Sequence, residues 1–341
     1  MKPIIKFSKP SIAVIKNKKS FFEENEKHLS HVQSVNTTYK KQPLRKFCKT
    51  CQNPIGNIDI IVQNVEYSSC LLCGHFNGLY EDTLEFAKSM YANEEGKTYA
   101  KNYLENYNAR VEDIYLPKVD FLIEVLKNDG IEKNISLLDV GCGGGHFVKA
   151  CEMRELSAIG YDTNQELIKL GSEKITNNKL EYRELENIDE LIKNNESEVL
   201  SLVGVLEHLM NPIDALQAFV ESKAKYLYLQ VPLFSLSVLL ESMNPEVFPR
   251  QMNAGHTHLY TDKSINFLCE KFKLDKIGEW WFGTDMVDLY RHLQIKVASQ
   301  NNIKKKDLID ELFGNFIDVT QNSLDRKKLC SGVNMVIKKS S

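Results

Sequence analysis

The feature that most constrains the fold is a run of glycines between an apolar segment and an amphipathic one, in 136-SLLDVGCGGGHFVKACEM-153. Gly141, Gly143 and Gly145 let the backbone turn tightly and approach a ligand closely. A helix after the glycines would present free backbone N–H groups and the positive end of its dipole. The segment therefore predicts a strand, a ligand-binding loop and a helix, as in an α/β fold.

The spacing of these glycines distinguishes the loop from two other kinds of nucleotide-binding loop. The dinucleotide pattern G-x-G-x-x-G requires glycine at position 146, where this chain has His146. A P-loop requires Gly-Lys followed by Ser or Thr, and the segment lacks this. The sequence thus disfavours both NAD or FAD binding and a P-loop NTPase.

Four cysteines form two CxxC pairs, 48-CKTC-51 and 70-CLLC-73. Two such pairs supply the four thiolates of a tetrahedral zinc site, and four protein ligands leave no open position for a substrate. Two independent redox dithiols would need an adjacent βαβ unit, which is not there. We predict one structural Zn²⁺ bound by Cys48, Cys51, Cys70 and Cys73, with His75 on the surface.

The composition is that of an ordinary folded protein, with 43% apolar and 26% charged residues among 341 and a net charge of -3. This length favours about two domains. Residues 1–50 nevertheless contain twelve Lys or Arg and only three Glu. We predict a solvated basic arm; the alternative is a binding site for an anionic partner such as a nucleotide phosphate, RNA, an acidic glycan or a lipid.

No segment is predicted to span a membrane. The longest apolar stretch, 226–243, is interrupted by Pro232 and by three polar side chains. The apolar residues of the N-terminus are divided by Lys6, Lys9 and Pro10, which argues against a secretion signal. A cytoplasmic protein is therefore expected.

The segment 137-LLDVGCGGG-145 resembles motif I of the class I S-adenosylmethionine-dependent methyltransferases. The rest of that family's core follows in order: 158-AIGYDTN-164, 180-LEYRELENI-188, 198-EVLSLVGVLEHLMNPIDAL-216 and 226-YLYLQVP-232. The resemblance, which extends over 135–282 and a last strand at 332–338, implies a doubly wound, Rossmann-like sheet. Its seven strands would lie in the order 3-2-1-4-5-7-6, with strand six at 274–282.

These features divide the chain into four predicted parts. They are a basic arm at 1–46, a zinc ribbon at 47–79, a helical connector at 80–135, and the methyltransferase domain at 136–341. Within the last part, the excursion at 233–260 is predicted to cover the substrate, since it holds Phe234, Phe248, Arg250 and Gln251.

The resemblance also implies which residues contact S-adenosylmethionine. Asp139 would lie beside the loop, and Asp162 would accept hydrogen bonds from both ribose hydroxyls. Glu184 or Glu186 would lie near the adenine. The remaining predicted contacts are Gly141, Cys142, Gly143, Gly145 and Val205.

Methyl transfer requires alignment of donor and acceptor, and often a base that removes a proton from the acceptor. Histidine suits this role at neutral pH. The candidates are Glu207 and His208, after the fourth strand, and His256 and His258 in 255-GHTHLY-260. We predict that His256 or His258 is the base, because acceptor-specific residues belong in the excursion; the two alternate along the chain, so only one should face the site.

A four-cysteine ribbon before such a core resembles the deoxysugar C-methyltransferases of nucleotide-linked keto sugars and the methyltransferases of bacterial surface-polysaccharide pathways. We therefore predict O- or C-methylation of a nucleotide-linked sugar or a surface glycan. One alternative is an RNA base methyltransferase that binds its substrate through the ribbon and the basic arm. Another is a non-catalytic scaffold that binds zinc and the cofactor.

Overall fold

The computed structural model describes residues 2–17, 20–91, 106–132, 135–252, 255–299, 303–314 and 316–340. Its strands are β1 Ile4–Phe7, β2 Ile60–Val62, β3 Val65–Ser69, β4 Phe76–Gly78, β5 Ser136–Val140, β6 Ser157–Asp162, β7 Lys179–Tyr182, β8 Val199–Val203, β9 Tyr226–Pro232, β10 His258–Leu259, β11 Leu274–Phe282 and β12 Gly332–Lys339. They form an eight-stranded sheet, β1-β11-β12-β9-β8-β5-β6-β7, and a four-stranded sheet, β10-β4-β3-β2.

The order of the large sheet confirms the predicted arrangement. From β7 to β11 it reads 3-2-1-4-5-7-6 in the numbering of the predicted strands. Neighbours from β7 to β9 are parallel, whereas β12 is antiparallel to both β9 and β11. The central strands are nearly continuous apolar runs, as expected of strands buried on both faces.

Helices pack on both faces of the large sheet, on the small sheet and on one another. The longer ones are Asn25–Tyr39, Leu84–Tyr91, Leu116–Asn128, Gln165–Ser172, Pro212–Glu221, Leu236–Met243, Asp262–Phe272, Asp285–Ser299, Ile303–Gly314 and Ile317–Arg326. Shorter ones are Ser11–Asn17, Ser20–Glu23, Tyr107–Arg110, His146–Glu152 and Ile188–Lys193. Successive strand residues point to opposite faces, so Leu227 and Leu229 join one buried cluster while Tyr226 and Tyr228 join another. The core therefore lies in two layers, one on each face.

The helical connector agrees with the sequence where it is described. Pro117 lies in the first turn of Leu116–Asn128, and Gly130, with φ +88°, follows the end of that helix. A π-helical turn at Val111–Tyr115 precedes it. Residues 92–105 of the predicted helical connector lie outside the described residues.

The sheet has one strand more than the seven predicted. β1 pairs in parallel with β11, with Ile4 opposite Gly278 and Phe7 opposite Trp281. The indole N–H of Trp280 donates a hydrogen bond to the carbonyl oxygen of Ser8 at 2.9 Å. Without β1, β11 would be an edge strand with unpaired backbone groups. Part of the basic arm is thus a strand of the core sheet.

Many basic residues of the arm contact acidic or aromatic side chains of the same chain. Among the residues that the structure describes, ion pairs join Lys6 with Glu124, Lys27 with Glu24, Lys40 with Glu66, Arg45 with Glu81 and Asp82, and Lys49 with Asp82. Lys9 lies over the rings of Trp280 and Phe282, and burial holds its pKa well below the ordinary value. This internal pairing weakens the case for an anionic partner.

The excursion packs on the ribbon, and its predicted role as a substrate cover stays a prediction. β10 belongs to the excursion and is antiparallel to β4 of the ribbon. The ring of Phe234 lies 4.8 Å from that of Phe76, and Phe248 is buried in the same apolar cluster. Arg250 donates hydrogen bonds to the carboxylate of Asp288 instead of facing a substrate.

No helix in the described ranges is both long enough and apolar enough to cross a membrane.

Candidate functional site

The glycine loop joins β5 to the helix His146–Glu152 in a backbone conformation that favours glycine. The φ angles of Gly141, Gly143 and Gly145 are +70°, +54° and +72°. A Cβ atom on Gly141 would lie 2.5 Å from Cγ2 of Val205, so that position also lacks room for a side chain. The loop therefore packs closely against the segment that follows β8.

Asp162, at the end of β6, is held against this loop. One carboxylate oxygen accepts a hydrogen bond from the N–H of Gly143 at 2.7 Å, and the other accepts from the N–H of Asn164 at 2.8 Å. Each oxygen retains a further lone pair. The residue can therefore accept hydrogen bonds from vicinal hydroxyls, which fits the ribose of S-adenosylmethionine.

Asp139, at the end of β5, is 2% exposed. The hydroxyl of Ser201 on β8 donates a hydrogen bond to its carboxylate. Burial, together with the smaller effect of the negative charge of Asp162, raises the pKa of Asp139 to about 7. The carboxyl group of Asp139 is thus enclosed between β5 and β8, and its predicted contact with the cofactor stays a prediction.

The other predicted cofactor residues differ in exposure. Gly141 is exposed and Gly143 half-buried, whereas Cys142, Gly145 and Val205 are buried. Glu184 and Glu186 are both exposed after β7, and Glu186 forms an ion pair with Lys88. The two glycines and Asp162 therefore form the accessible part of the site.

Glu207, His208 and His256 lie together beyond the carboxyl end of β8. Glu207 and His208 belong to a single 3₁₀ turn, Leu206–His208, and His256 comes from the excursion. The rings of the two histidines are 5.0 Å apart. One potential ligand atom from each residue lies within 4.8 Å of those from the other two. We call these three residues the Glu–His–His cluster.

Hydrogen bonds fix both imidazoles of this cluster. Nδ1 of His208 lies 2.8 Å from the carbonyl oxygen of Gly255, and Nδ1 of His256 lies 2.6 Å from that of Gln251. Since a carbonyl only accepts, each Nδ1 carries the hydrogen, and each Nε2 bears a lone pair. Burial holds the pKa of His208 below its ordinary value, so this ring is neutral at pH 7.

The cluster and the glycine loop are neighbours. The backbone N–H of His208 donates to the carbonyl oxygen of Val205 at 2.8 Å, and Val205 contacts the position of Gly141. β5 and β8 are adjacent parallel strands. Ligands of open α/β sheets bind beyond the carboxyl ends of such strands. The loop, Asp162 and the cluster therefore form one candidate site.

The prediction that His258 could be the base is wrong. Its side chain is completely buried, and its Nδ1 lies 2.9 Å from Nε2 of His75. His75 is also completely buried, in contrast to the predicted surface position. Because β10 pairs with β4, His258 lies where the excursion packs on the ribbon. Its position indicates a structural role.

The four cysteines lie together, as predicted. The Sγ atoms of Cys48 and Cys73 are 3.6 Å apart, those of Cys51 and Cys70 are 3.4 Å apart, and all four lie within 4.8 Å of one another. Zn–S bonds of about 2.3 Å in a tetrahedron require sulfur–sulfur distances of roughly 3.8 Å. The geometry and the thiolate donors therefore fit a structural Zn²⁺.

The ribbon contacts both segments that supply the Glu–His–His cluster. The ammonium group of Lys49 donates to the carbonyl oxygen of Leu209 at 2.8 Å, directly after His208. The N–H of Gly78 donates to the carbonyl oxygen of Thr257 at 2.8 Å, directly after His256. No sequence pattern indicated Lys49, because its role depends on contacts with a distant segment.

In comparisons with known proteins, the matching family model and the similar proteins are methyltransferases. Residues 107–279 match a family model described as a methyltransferase domain. An alignment 107 positions long shows 32% identity to the ubiquinone biosynthesis O-methyltransferase of Dechloromonas aromatica (strain RCB). It covers 28% of this chain and 45% of that protein. The chain thus covers less than half of this relative.

Among solved structures, the plantazolicin methyltransferase BamL has a TM-score of 0.47 and 13% identity, covering 75% of this chain and 94% of that one. The magnesium protoporphyrin IX methyltransferase ChlM from Synechocystis PCC 6803 has a TM-score of 0.45 and 12% identity, covering 72% and 100%. Because the family model extends over half of its residues, this chain belongs to the methyltransferase-domain family.

Proposed function

We propose that this protein is an S-adenosylmethionine-dependent methyltransferase that methylates an oxygen or carbon atom of a nucleotide-linked sugar or a surface glycan. The observation that carries the cofactor assignment is the carboxylate of Asp162, held against the glycine loop by the N–H of Gly143. The acceptor class rests on the resemblance of a four-cysteine ribbon joined to a methyltransferase core.

S-adenosylmethionine, when bound, supplies an electrophilic methyl group on a positively charged sulfur. Asp162 would hold its ribose hydroxyls, and the exposed Gly141 and half-buried Gly143 would let the cofactor approach the backbone. The negative charge of Asp162 also favours a cationic ligand. These residues therefore bind and orient the methyl donor.

The Glu–His–His cluster would act on the acceptor. As the acceptor atom bonds to the methyl carbon, the electrons of the carbon–sulfur bond stay on sulfur, and the acceptor proton passes to the cluster. Nε2 of His256 is our preferred proton acceptor, since Nδ1 of that ring is held by the carbonyl of Gln251. Such a base contributes about 10²–10⁴-fold to the rate.

We also propose that Cys48, Cys51, Cys70 and Cys73 bind one structural Zn²⁺. Four thiolates complete its coordination, so this ion takes no part in the transfer. Its role would be to hold the ribbon against the two segments that carry the cluster.

A labelled-methyl assay on the full-length protein tests the proposed function. The acceptors would be nucleotide-linked keto and hydroxy sugars, extracted surface polysaccharide, a small phenol and bulk RNA. The phenol is included because the relative from Dechloromonas is named an O-methyltransferase. We expect transfer to the sugars and much less with Asp162→Ala. Transfer to RNA alone, or to no acceptor despite cofactor binding, would contradict the proposal.

A further inference from the structure

We infer that the Glu–His–His cluster binds one divalent transition-metal ion, distinct from the zinc of the four cysteines. The binding itself is independent of the proposed function. Only the role of the ion, which is to bind an oxygen atom of the acceptor, rests on that function.

The donor set is the first reason. Glu207, His208 and His256 offer two imidazole nitrogens and one carboxylate oxygen. Two His and one Glu are the protein ligands of several catalytic zinc sites, where a fourth position stays open for water or substrate. Imidazoles select transition metals over Mg²⁺ and Ca²⁺. The cluster therefore matches Zn²⁺ or a similar ion with an open position.

The distances are the second reason. The three potential ligand atoms lie within 4.8 Å of one another, and Oε1 of Glu207 is 3.9 Å from Nε2 of His208. An ion with bonds of about 2.1 Å places its ligands roughly 3.0–3.5 Å apart. Movements of about 1 Å would therefore close the site, and side-chain rotation supplies movements of this size.

The hydrogen bonds behind the imidazoles are the third reason. Histidines that bind metals almost always donate their other ring N–H to a carbonyl or a carboxylate, which fixes the tautomer. His208 donates to Gly255 and His256 to Gln251, both through Nδ1. Two independent carbonyls thus fix the tautomer in which the hydrogen is on Nδ1 and Nε2 carries none.

The burial of Glu207 is the fourth reason. The residue is 3% exposed, and its Oε2 atom has no hydrogen-bond partner among the described residues. A buried polar atom without a partner is unfavourable. A bound cation would satisfy this oxygen, so the proposed site explains an otherwise unpartnered atom.

An ion here would act on the acceptor side of the site. Val205 links the cluster to Gly141, so an acceptor oxygen bound at the open position would lie near the glycine loop. With the ion bound, Nε2 of His256 would be a metal ligand instead of the proton acceptor, and the ion would hold a hydroxyl or carbonyl oxygen and stabilise negative charge on it. The chemical class favoured is therefore an acceptor with an oxygen at or beside the methylated atom.

Metal titration of the full-length protein tests this inference. Protein that retains its cysteine-bound zinc would be titrated with Zn²⁺ by calorimetry, and its total metal measured by mass spectrometry. We expect two ions per chain for wild type, and one for Glu207→Gln and for His256→Ala, with the second affinity lowered at least about tenfold. His31→Ala, which removes an exposed imidazole, should keep two.

Cobalt distinguishes the two sites. Co²⁺ bound by four thiolates gives thiolate-to-metal charge-transfer absorption, whereas Co²⁺ in the cluster would show only ligand-field bands. One ion per chain at saturation, or a second ion retained in both variants, would overturn the inference. If methyl transfer occurs without a second ion, the proposed function stands and the cluster acts as a general base.

Discussion

Two carboxyl groups end the neighbouring strands β5 and β6 and have different environments. Asp162 accepts two backbone N–H groups beside the glycine loop, whereas Asp139 is buried and bonded to Ser201. Burial raises the pKa of Asp139 to about 7. Asp162 is therefore the carboxylate that lies against the glycine loop, whereas the carboxyl group of Asp139 is enclosed between β5 and β8.

The raised pKa of Asp139 predicts a pH dependence of stability. Between about pH 4 and 7 the folded state binds a proton that the unfolded state has lost, so this residue lowers the free energy of unfolding as the pH rises. Asp139→Asn should remove that decrease. Compared with wild type, the free energy of unfolding of the variant should therefore be higher by roughly 2–4 kcal/mol at pH 7.5 than at pH 4.5. Urea denaturation of both proteins at pH 4.5 and 7.5 measures it; parallel pH profiles would contradict the assignment.

His256→Ala separates acceptor activation from cofactor binding. We expect kcat to fall by about 10²–10⁴-fold, the usual contribution of acid–base catalysis, while the affinity for S-adenosylmethionine is retained. His258→Ala should instead lower thermal stability, because His258 is buried against His75. If both variants turn over within a few-fold of wild type, the acceptor is activated by other residues.

Among the structural elements, the glycine loop depends on its contact with Val205. Gly141→Ala combines the strain of a positive φ with a Cβ atom 2.5 Å from Val205. Gly130→Ala is a matched control, since φ is also positive there but no atom lies within 4 Å. Chemical denaturation should give losses of about 1 kcal/mol for the control and about 2–4 kcal/mol for Gly141→Ala. Equal losses would contradict the packing described.

Lys49 couples the ribbon to the site. Lys49→Met keeps the aliphatic part of the side chain but removes the hydrogen bond to Leu209 and the ion pair with Asp82. Asp82 would still form its ion pair with Arg45. We expect a stability loss of about 1–3 kcal/mol and a decrease in kcat larger than any change in cofactor affinity. The exposed Lys46→Met provides the control. An unchanged kcat in a folded Lys49→Met protein would show that the ribbon does not position the cluster.

The sequence predicted the elements whose signals are local. The glycine loop, the CxxC pairs and the strand order each follow from a short motif or from the order of motifs. The ribbon's partnership with the excursion, the His75–His258 contact and the β1–β11 pairing were missed. Each is a contact between segments that are far apart in the chain. No local sequence pattern predicts that such segments will contact each other.

The predicted arm and the predicted ribbon each share a sheet with the methyltransferase domain instead of preceding it as separate units. The N-terminus supplies the edge strand of the core sheet, and the ribbon sheet includes a strand of the excursion. Part of the arm, predicted to be solvated, is a strand of the core sheet, and Arg45 and Lys49 are paired within the fold, whereas Lys41 and Lys46 are exposed. The candidate site consequently depends on three regions: the core strands, the excursion and the ribbon.

Calorimetric titration of the full-length protein with S-adenosylmethionine tests whether the glycine loop and Asp162 bind this cofactor. We expect one cofactor per chain. In Asp162→Ala the affinity should be weakened by about 1.5–3 kcal/mol, the scale of a lost charge-assisted hydrogen bond. The exposed Asp275→Ala should bind like wild type. The absence of binding to wild type, or an unchanged affinity in a folded Asp162→Ala protein, would contradict the account.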